Sequence, residues 1–293
     1  GFKALNSANL PDPTIKLPDK HFDTLLWTGA NTANSRDITG LEFQPDWVWI
    51  KARNQSSYGG GLNYHHMVWD SVRGVGSTSS SSGKDLATNE NYAESSSSTY
   101  SNLYGHVSAF NSDGFTVQKA SGEPAIYTDY GSTNYVAWNW KGGGTASSNG
   151  DGSITSSISA NLSAGFSCVG YTGTGANATI GHGLGVAPQA YIIKRRDSGS
   201  GNTNWRVYHH KLNGGSNPEQ YHLILNANNS ESGQSNIFND TAPTSTVFSI
   251  GTHASTGENS GTYIAYCFSE VAGYSKAGSY TGNGSTDGTF VFT

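Results

Sequence analysis

Pro45-Asp46-Trp47-Val48-Trp49-Ile50-Lys51-Ala52-Arg53 recurs 143 residues later (45 to 188) as Pro188-Gln189-Ala190-Tyr191-Ile192-Ile193-Lys194-Arg195-Arg196. Phe22 to Gly29 recurs as Phe166 to Gly173, and Tyr135 to Lys141 recurs as Tyr263 to Ser269 at a shorter offset of 128 (135 to 263). A chain that repeats itself in this way folds as copies of one unit, whatever that unit is. The falling offset places the length difference in loops. The first copy carries it in a Ser-rich excursion from Ser77 to Ser101, longer than ordinary connections and therefore a candidate functional loop.

Each matched block alternates aromatic and β-branched residues over four to eight positions, bounded by Gly, Asn, Asp or Pro, which is the pattern of a strand. Pairs such as Asp113-Gly114, Asn213-Gly214 and Asn283-Gly284 supply the positive φ of tight reversals. With 38 Gly and only 13% charged residues among 293, helices are not expected. The expected fold is all-β, with tandem antiparallel, jelly-roll-like sandwiches. Residues 1–20 read as an extended connector, 21–145 as the first sandwich and 146–164 as a Gly/Ser-rich flexible linker. Residues 165–273 form the second sandwich and 274–293 the truncated start of a third. The absence of a starting Met and the strand-like run at Thr289-Phe290-Val291-Phe292 read as a fragment of a longer protein.

A net charge of -5 gives no cationic footprint for nucleic acid. No apolar run reaches the ~20 residues of a membrane span, so membrane insertion is not expected.

Several longer motifs resemble a known family. Ser159-Ala160-Asn161, Tyr171-Thr172-Gly173-Thr174-Gly175 and Ile180-Gly181-His182-Gly183-Leu184-Gly185, with the sister stretches Leu41 to Lys51, Trp69 to Gly74 and Phe110 to Phe115, are similar to a tandem domain of predicted tail-fibre proteins of marine phages. Such domains often follow a concanavalin-like or SPRY-like sandwich. The resemblance implies a virion appendage, a homotrimer, other tail proteins as partners, and attachment to a host surface glycan or protein. It brings no catalytic residues. Alternatives from other classes are a glycan-cleaving depolymerase and a bacterial extracellular adhesin or filament subunit.

No Gly-x-Ser-x-Gly elbow, phosphate loop or His-Glu-x-x-His is present, so no enzyme, cofactor or metal is expected. Glu90, Glu94, Asp113, Glu123 and Asp129 are carboxylates of the type a glycosidase uses, but they read as turn and surface residues. His182 between glycines reads as a turn histidine. The triplets Tyr64-His65-His66 and Tyr208-His209-His210 look like a duplicated site, yet the shifting offset aligns Val207-Tyr208-His209 with Val68-Trp69-Asp70 instead. Cys168 and Cys267 lie in matched first and last strands, which makes those strands neighbours; a disulfide and two free thiols both remain open, with reducing cytosol favouring thiols. Trp47 and Trp49 share one strand face and Val48 and Ile50 the other. Tyr92, Tyr100 and Tyr104, aromatic residues among serines in the excursion, are the expected receptor contacts.

Overall fold

The computed structural model describes residues 13–31, 35–59, 62–76, 84–94, 104–119, 123–198 and 203–291. The first half contains β1 (Phe22–Thr28), β2 (Ser35–Thr39), β3 (Trp47–Ala52), β4 (Ser57–Tyr58), β5 (Leu62–Asn63), β6 (Met67–Asp70), β7 (Leu86–Ala87), β8 (His106–Asn111), β9 (Gly114–Gln118) and β10 (Asn134–Trp140). The second contains β11 (Ser147–Asn149), β12 (Ser156–Asn161), β13 (Phe166–Thr172), β14 (Ala178–Gly181), β15 (Ala190–Arg195), β16 (Arg206–His209), β17 (Tyr221–Ile224), β18 (Ser232–Gly233), β19 (Val247–Ile250) and β20 (Thr262–Phe268). One short helix, α1 (Ser235–Phe238), precedes β19.

The main sheet of the first half runs β1-β10-β3-β6-β7, and the second half repeats it as β13-β20-β15-β16-β17, extended by β11 and β12 at one edge and by β18 at the other. Each main sheet faces a smaller one, β2-β9-β8 or β14-β19. The fold is all-β, and the pairings between the described strands are antiparallel. First and last strands are neighbours in both copies, β1 beside β10 and β13 beside β20. The registers match residue for residue: Trp27 lies opposite Tyr135 as Tyr171 lies opposite Tyr263, and both ring pairs stack, with centroids 5.3 and 5.0 Å apart. Val48 lies opposite Trp69 as Tyr191 lies opposite Tyr208, so the two Tyr-His-His triplets occupy different places.

Three cores hold these layers. Val48, Ile50, Phe115, Val117 and Tyr135 fill the first sandwich, and Val169, Tyr191, Ile193, Phe248 and Tyr263 fill the second. A third core of Trp47, Val68, Phe166, Trp205, Ile264 and Tyr266 lies between the two main sheets. Side chains on a strand alternate between faces, so β3 sends Val48 and Ile50 into its own sandwich and Trp47 against the sister copy. A strand apolar on both faces is buried on both faces, which is why Trp-Val-Trp-Ile runs without a polar break. The order of layers is small sheet, main sheet, main sheet, small sheet.

The expected linker is part of this structure. Residues 146–164 contribute β11 and β12, and the preceding glycines are hydrogen-bonded in place. Gly142 and Gly144 N–H donate to Asp46 Oδ2 at 2.8 and 3.2 Å, and Gly143 N–H donates to Ser159 Oγ at 2.9 Å. Glycine is needed there for close approach: a Cβ on Gly143 would lie 2.7 Å from the Ala160 carbonyl oxygen. Gly143→Ala should therefore lower stability by about 1–3 kcal/mol, the usual cost of overpacking, read as a reduced urea midpoint; a flexible tether would show no change.

The strand set expected from Tyr274 onward does not form. After the bridge of Val271 with Ser275, the described residues of 276–291 contain no strand and are almost all exposed, Phe290 at 87%. A strand needs a neighbour to pair with, and among the described residues no strand lies beside this segment. At the other end, residues 1–12 lie outside the described region, while Ile15 is buried and Thr14 N–H donates to the Ala272 carbonyl.

Candidate functional site

The seam between the main sheets opens to solvent at one end. There Phe22 and Trp140 of the first sandwich meet Phe166 and Phe268 of the second, and Tyr274 closes the side, around a cleft of ≈ 360 Å³ rimmed by Glu270 and Lys276. The strand ends build it: Phe22 starts β1, Trp140 ends β10, Phe166 starts β13 and Phe268 ends β20. Phe22 and Trp140 are directly opposite, as are Phe166 and Phe268, with ring centroids 4.8 and 5.3 Å apart. Burial pushes the Tyr274 hydroxyl up to about 12, so it stays a neutral donor. Flat aromatic walls with a polar rim suit a ligand with an apolar face and hydroxyl edges.

Deeper in the seam lies a buried polar network. Asp70 Oδ2 accepts from Arg73 Nε at 2.5 Å and from the Tyr266 hydroxyl of the sister copy at 2.7 Å. Arg73 also donates to the Val68 and Lys84 carbonyls. Glu94 pairs with Arg196 at 2.6 Å, Lys84 at 3.3 Å and Arg73 at 3.8 Å. Burial acts to raise the Glu94 carboxyl, but Arg73, Arg196 and Lys84 outweigh it and hold it below the usual range.

A model of a domain of unknown function, DUF7483, matches residues 17–293. The chain belongs to the DUF7483 family. No curated protein and no solved structure matches it. The DUF7483 match runs without interruption across both sandwiches, the glycine bridge and the cleft.

Within the DUF7483 domain, the residues singled out from sequence have separate fates. The described flank of the Ser-rich excursion, 84–94, straps the first sandwich to the second: Trp205 Nε1 donates to the Ala87 and Glu90 carbonyls, and Lys194 Nζ and Thr203 Oγ1 donate to the Asn91 carbonyl. Tyr92 stands on this strap at 38% exposure. Tyr100 lies outside the described residues. Tyr104 is half-buried, its ring packing on the first core and edge-on to Tyr127 at 6.1 Å. The strap's anchors in the second copy are far away in sequence, so composition alone reads it as a free loop.

Cys168 and Cys267 are free thiols. Cys267 lies opposite Ser167, one residue out of register from Cys168, so the thiols point to opposite faces, Cys168 into the seam and Cys267 into the second core. No bridge can form in this register. Both ring nitrogens of His182 are engaged, Nε2 with the Thr244 carbonyl and Nδ1 with Leu184 N–H, each at 3.1 Å. Among the candidate carboxylates, Asp129 pairs with Arg36 at 2.7 Å, Glu90 lies 3.6 Å from His65 Nδ1, Glu94 belongs to the seam network and Asp113 sits in its turn. Lys119 Nζ donates to the Glu123 carbonyl.

Sequence reading missed a duplicated device. The Tyr135 hydroxyl donates to the Ile126 carbonyl and accepts from Tyr130 N–H, while the Tyr263 hydroxyl donates to Ala254 and accepts from Glu258 N–H, all at the shared offset of 128 (135 to 263). Each copy uses a tyrosine to fix the loop before its last strand.

Burial lowers His65 and His222 from 6.5 to about 4. Between those values the unfolded chain binds protons that the folded chain refuses, so stability declines as pH falls from 6.5 toward 4. Glu94, with a depressed folded pKa, adds a loss below its unfolded value of 4.5. Urea midpoints at pH 7.5, 5.5 and 4.5 should fall in that order; a flat profile between 7.5 and 4.5 contradicts these assignments.

Proposed function

We propose that the chain is a non-enzymatic structural and host-attachment segment of a phage tail fibre or similar virion appendage, and that its aromatic cleft holds a saccharide of the host surface. The observation that carries this reading is the cleft, where Phe22, Trp140, Phe166, Phe268 and Tyr274 converge with Glu270 and Lys276 at the rim. Aromatic faces stack on the apolar faces of sugar rings, and rim charges meet hydroxyls. Two sandwiches joined through a third core form a stiff block, which suits a spacer under load. The candidate glycosidase carboxylates Asp129 and Glu94 are tied to Arg36 and Arg196 on separate elements, which favours binding over cleavage. The proposal puts host contact at the end of the seam.

Assembly as a homotrimer is part of the proposal. Tyr280, Phe290 and Val291 are exposed on the tail beyond the cleft, and apolar side chains so placed favour docking on another copy. Light scattering should give three times the chain mass; a monomer sinks the trimer. Immunogold labelling should mark a tail appendage of the particle. On a panel of host-surface glycans, Tyr274→Ala should weaken binding at least tenfold with the urea midpoint preserved. Label absent from every particle, or reducing ends released from host polysaccharide, overturns the reading.

A further inference from the structure

The second sandwich carries a buried cation that its sister lacks. Arg206 lies opposite Ile193 as Met67 lies opposite Ile50, and Ile193 and Ile50 are themselves equivalent, so Arg206 stands at the position of Met67. Met67 is a fully buried member of the first core, whereas Arg206 is 4% exposed and faces the inside of the second sandwich. The fold therefore does not require a charge here. Two further positions change with it. Val207 lies opposite Leu223 as Val68 lies opposite Leu86, which makes His222 the counterpart of Asp85. His253 precedes Ala254, whose carbonyl accepts the Tyr263 hydroxyl as Ile126 accepts that of Tyr135, so His253 replaces Ala125. Met, Asp and Ala have become Arg, His and His.

Arg206 and His222 are in contact, and the charge of Arg206 reaches His253. Arg206 Nη1 lies 2.7 Å from His222 Nε2. A guanidinium has no acceptor, so His222 must accept through Nε2 and is neutral, with its proton on Nδ1. His253 Nδ1 accepts Ser255 N–H at 3.0 Å, which leaves its proton on Nε2. Burial first, and then the charge of Arg206, lower both imidazoles, and burial lowers Arg206 itself. Among the described residues no carboxylate offsets them. Arg206 Nε is buried without a hydrogen-bond partner, although together with Nη2 it forms the edge of the guanidinium that grips two oxygens at once. A desolvated cation without a counter-charge is costly, and the unpaired Nε marks the edge of Arg206 on which an anionic partner would sit.

We propose that Arg206, His222 and His253 form a binding site for a compact oxyanion, a sulfate or phosphate group either free or esterified on a saccharide. The Nε and Nη2 donors of Arg206 take two of its oxygens and the Nε2 proton of His253 takes a third. The site is separate from the aromatic cleft and does not depend on it.

The full chain is titrated with sodium sulfate, and separately with potassium phosphate, at pH 7 and constant ionic strength set with chloride, while the melting temperature and binding heat are followed. Wild type should show a saturable rise in melting temperature. Arg206→Met, which installs the sister copy's residue, should abolish that response while melting in chloride at or above the wild-type temperature. His253→Ala, which also restores the sister's residue and touches a half-buried position, should weaken binding about three- to tenfold. Galactose-6-sulfate against galactose then separates the sources: saturable binding of the ester assigns a sulfated saccharide, and binding of inorganic sulfate alone assigns a free ion held within the sandwich. An equal response in wild type and Arg206→Met, or no saturable response in wild type, overturns the site.

Discussion

Trp47→Ala should lower the stability of the chain by about 3–5 kcal/mol, the range for removing a fully buried large aromatic side chain. Trp47 is 1% exposed, and its ring stacks on Tyr266 at 4.3 Å and on Phe166 at 5.7 Å, both from the sister copy, while it also contacts Trp140 at 4.3 Å. Its loss hollows the seam beneath the cleft rather than the middle of either sandwich. The effect should therefore appear as lost cooperativity as well as lost stability. Wild type should unfold in guanidinium as one transition. The variant should unfold in two, because the cores built around Ile50 and Ile193 survive separately. Calorimetry and tryptophan fluorescence over the same denaturant range check this; a single transition at an unchanged midpoint contradicts the role given to the seam.

Asp70→Ala should cost a similar amount, about 3–5 kcal/mol, for a different reason. Asp70 and Arg73 are wholly removed from water, and the Asp70 carboxylate takes Arg73 N–H, Arg73 Nε–H and the Tyr266 hydroxyl. Deleting the carboxylate strands a guanidinium in the seam with Glu94 at 3.8 Å as its nearest remaining counter-charge. The loss comes from the uncompensated charge more than from missing contacts. The double variant Asp70→Leu, Arg73→Met should accordingly recover most of it, since a buried ion pair is often replaced by apolar residues at little cost. Urea unfolding of the two variants separates these terms. If the double variant is as unstable as Asp70→Ala, packing rather than charge governs the site.

Much of this architecture is legible in the chain because a repeat tests itself. Two registers read from one sequence must agree, and the offsets between copies place β1 against β13, β3 against β15 and β10 against β20 before any coordinates are known. The alternation of Trp47 and Trp49 against Val48 and Ile50 correctly separates two faces. What alternation cannot say is that the second face meets the sister copy, since that depends on how two folded units dock. The bridge at Gly142 to Gly144 misleads for a related reason: glycine reads as freedom in isolation, while here it permits contact with Asp46 and Ser159. The candidate site suffers most. Phe22, Trp140, Phe166 and Phe268 sit at the ends of four matched strands, and each reads as core on its own. Only the meeting of two sheets makes them one surface. Tyr104 is the opposite case, since a Ser-rich neighbourhood hides the core that its half-buried ring packs against.

The seam joins the same face of the same sheet from both copies, as a two-fold homodimer would. In a true homodimer every substitution enters both sides at once, so a large side chain must be able to meet its own image. Covalent tandem linkage removes that restriction. Trp47 lies against Tyr266, and the positions equivalent to these two are Ala190 and Trp138, so a pair of large rings in one place has a small residue beside a large one as its counterpart. A fused pair can differentiate its halves, leaving one to serve as framework while the other takes on a charge such as Arg206 inside.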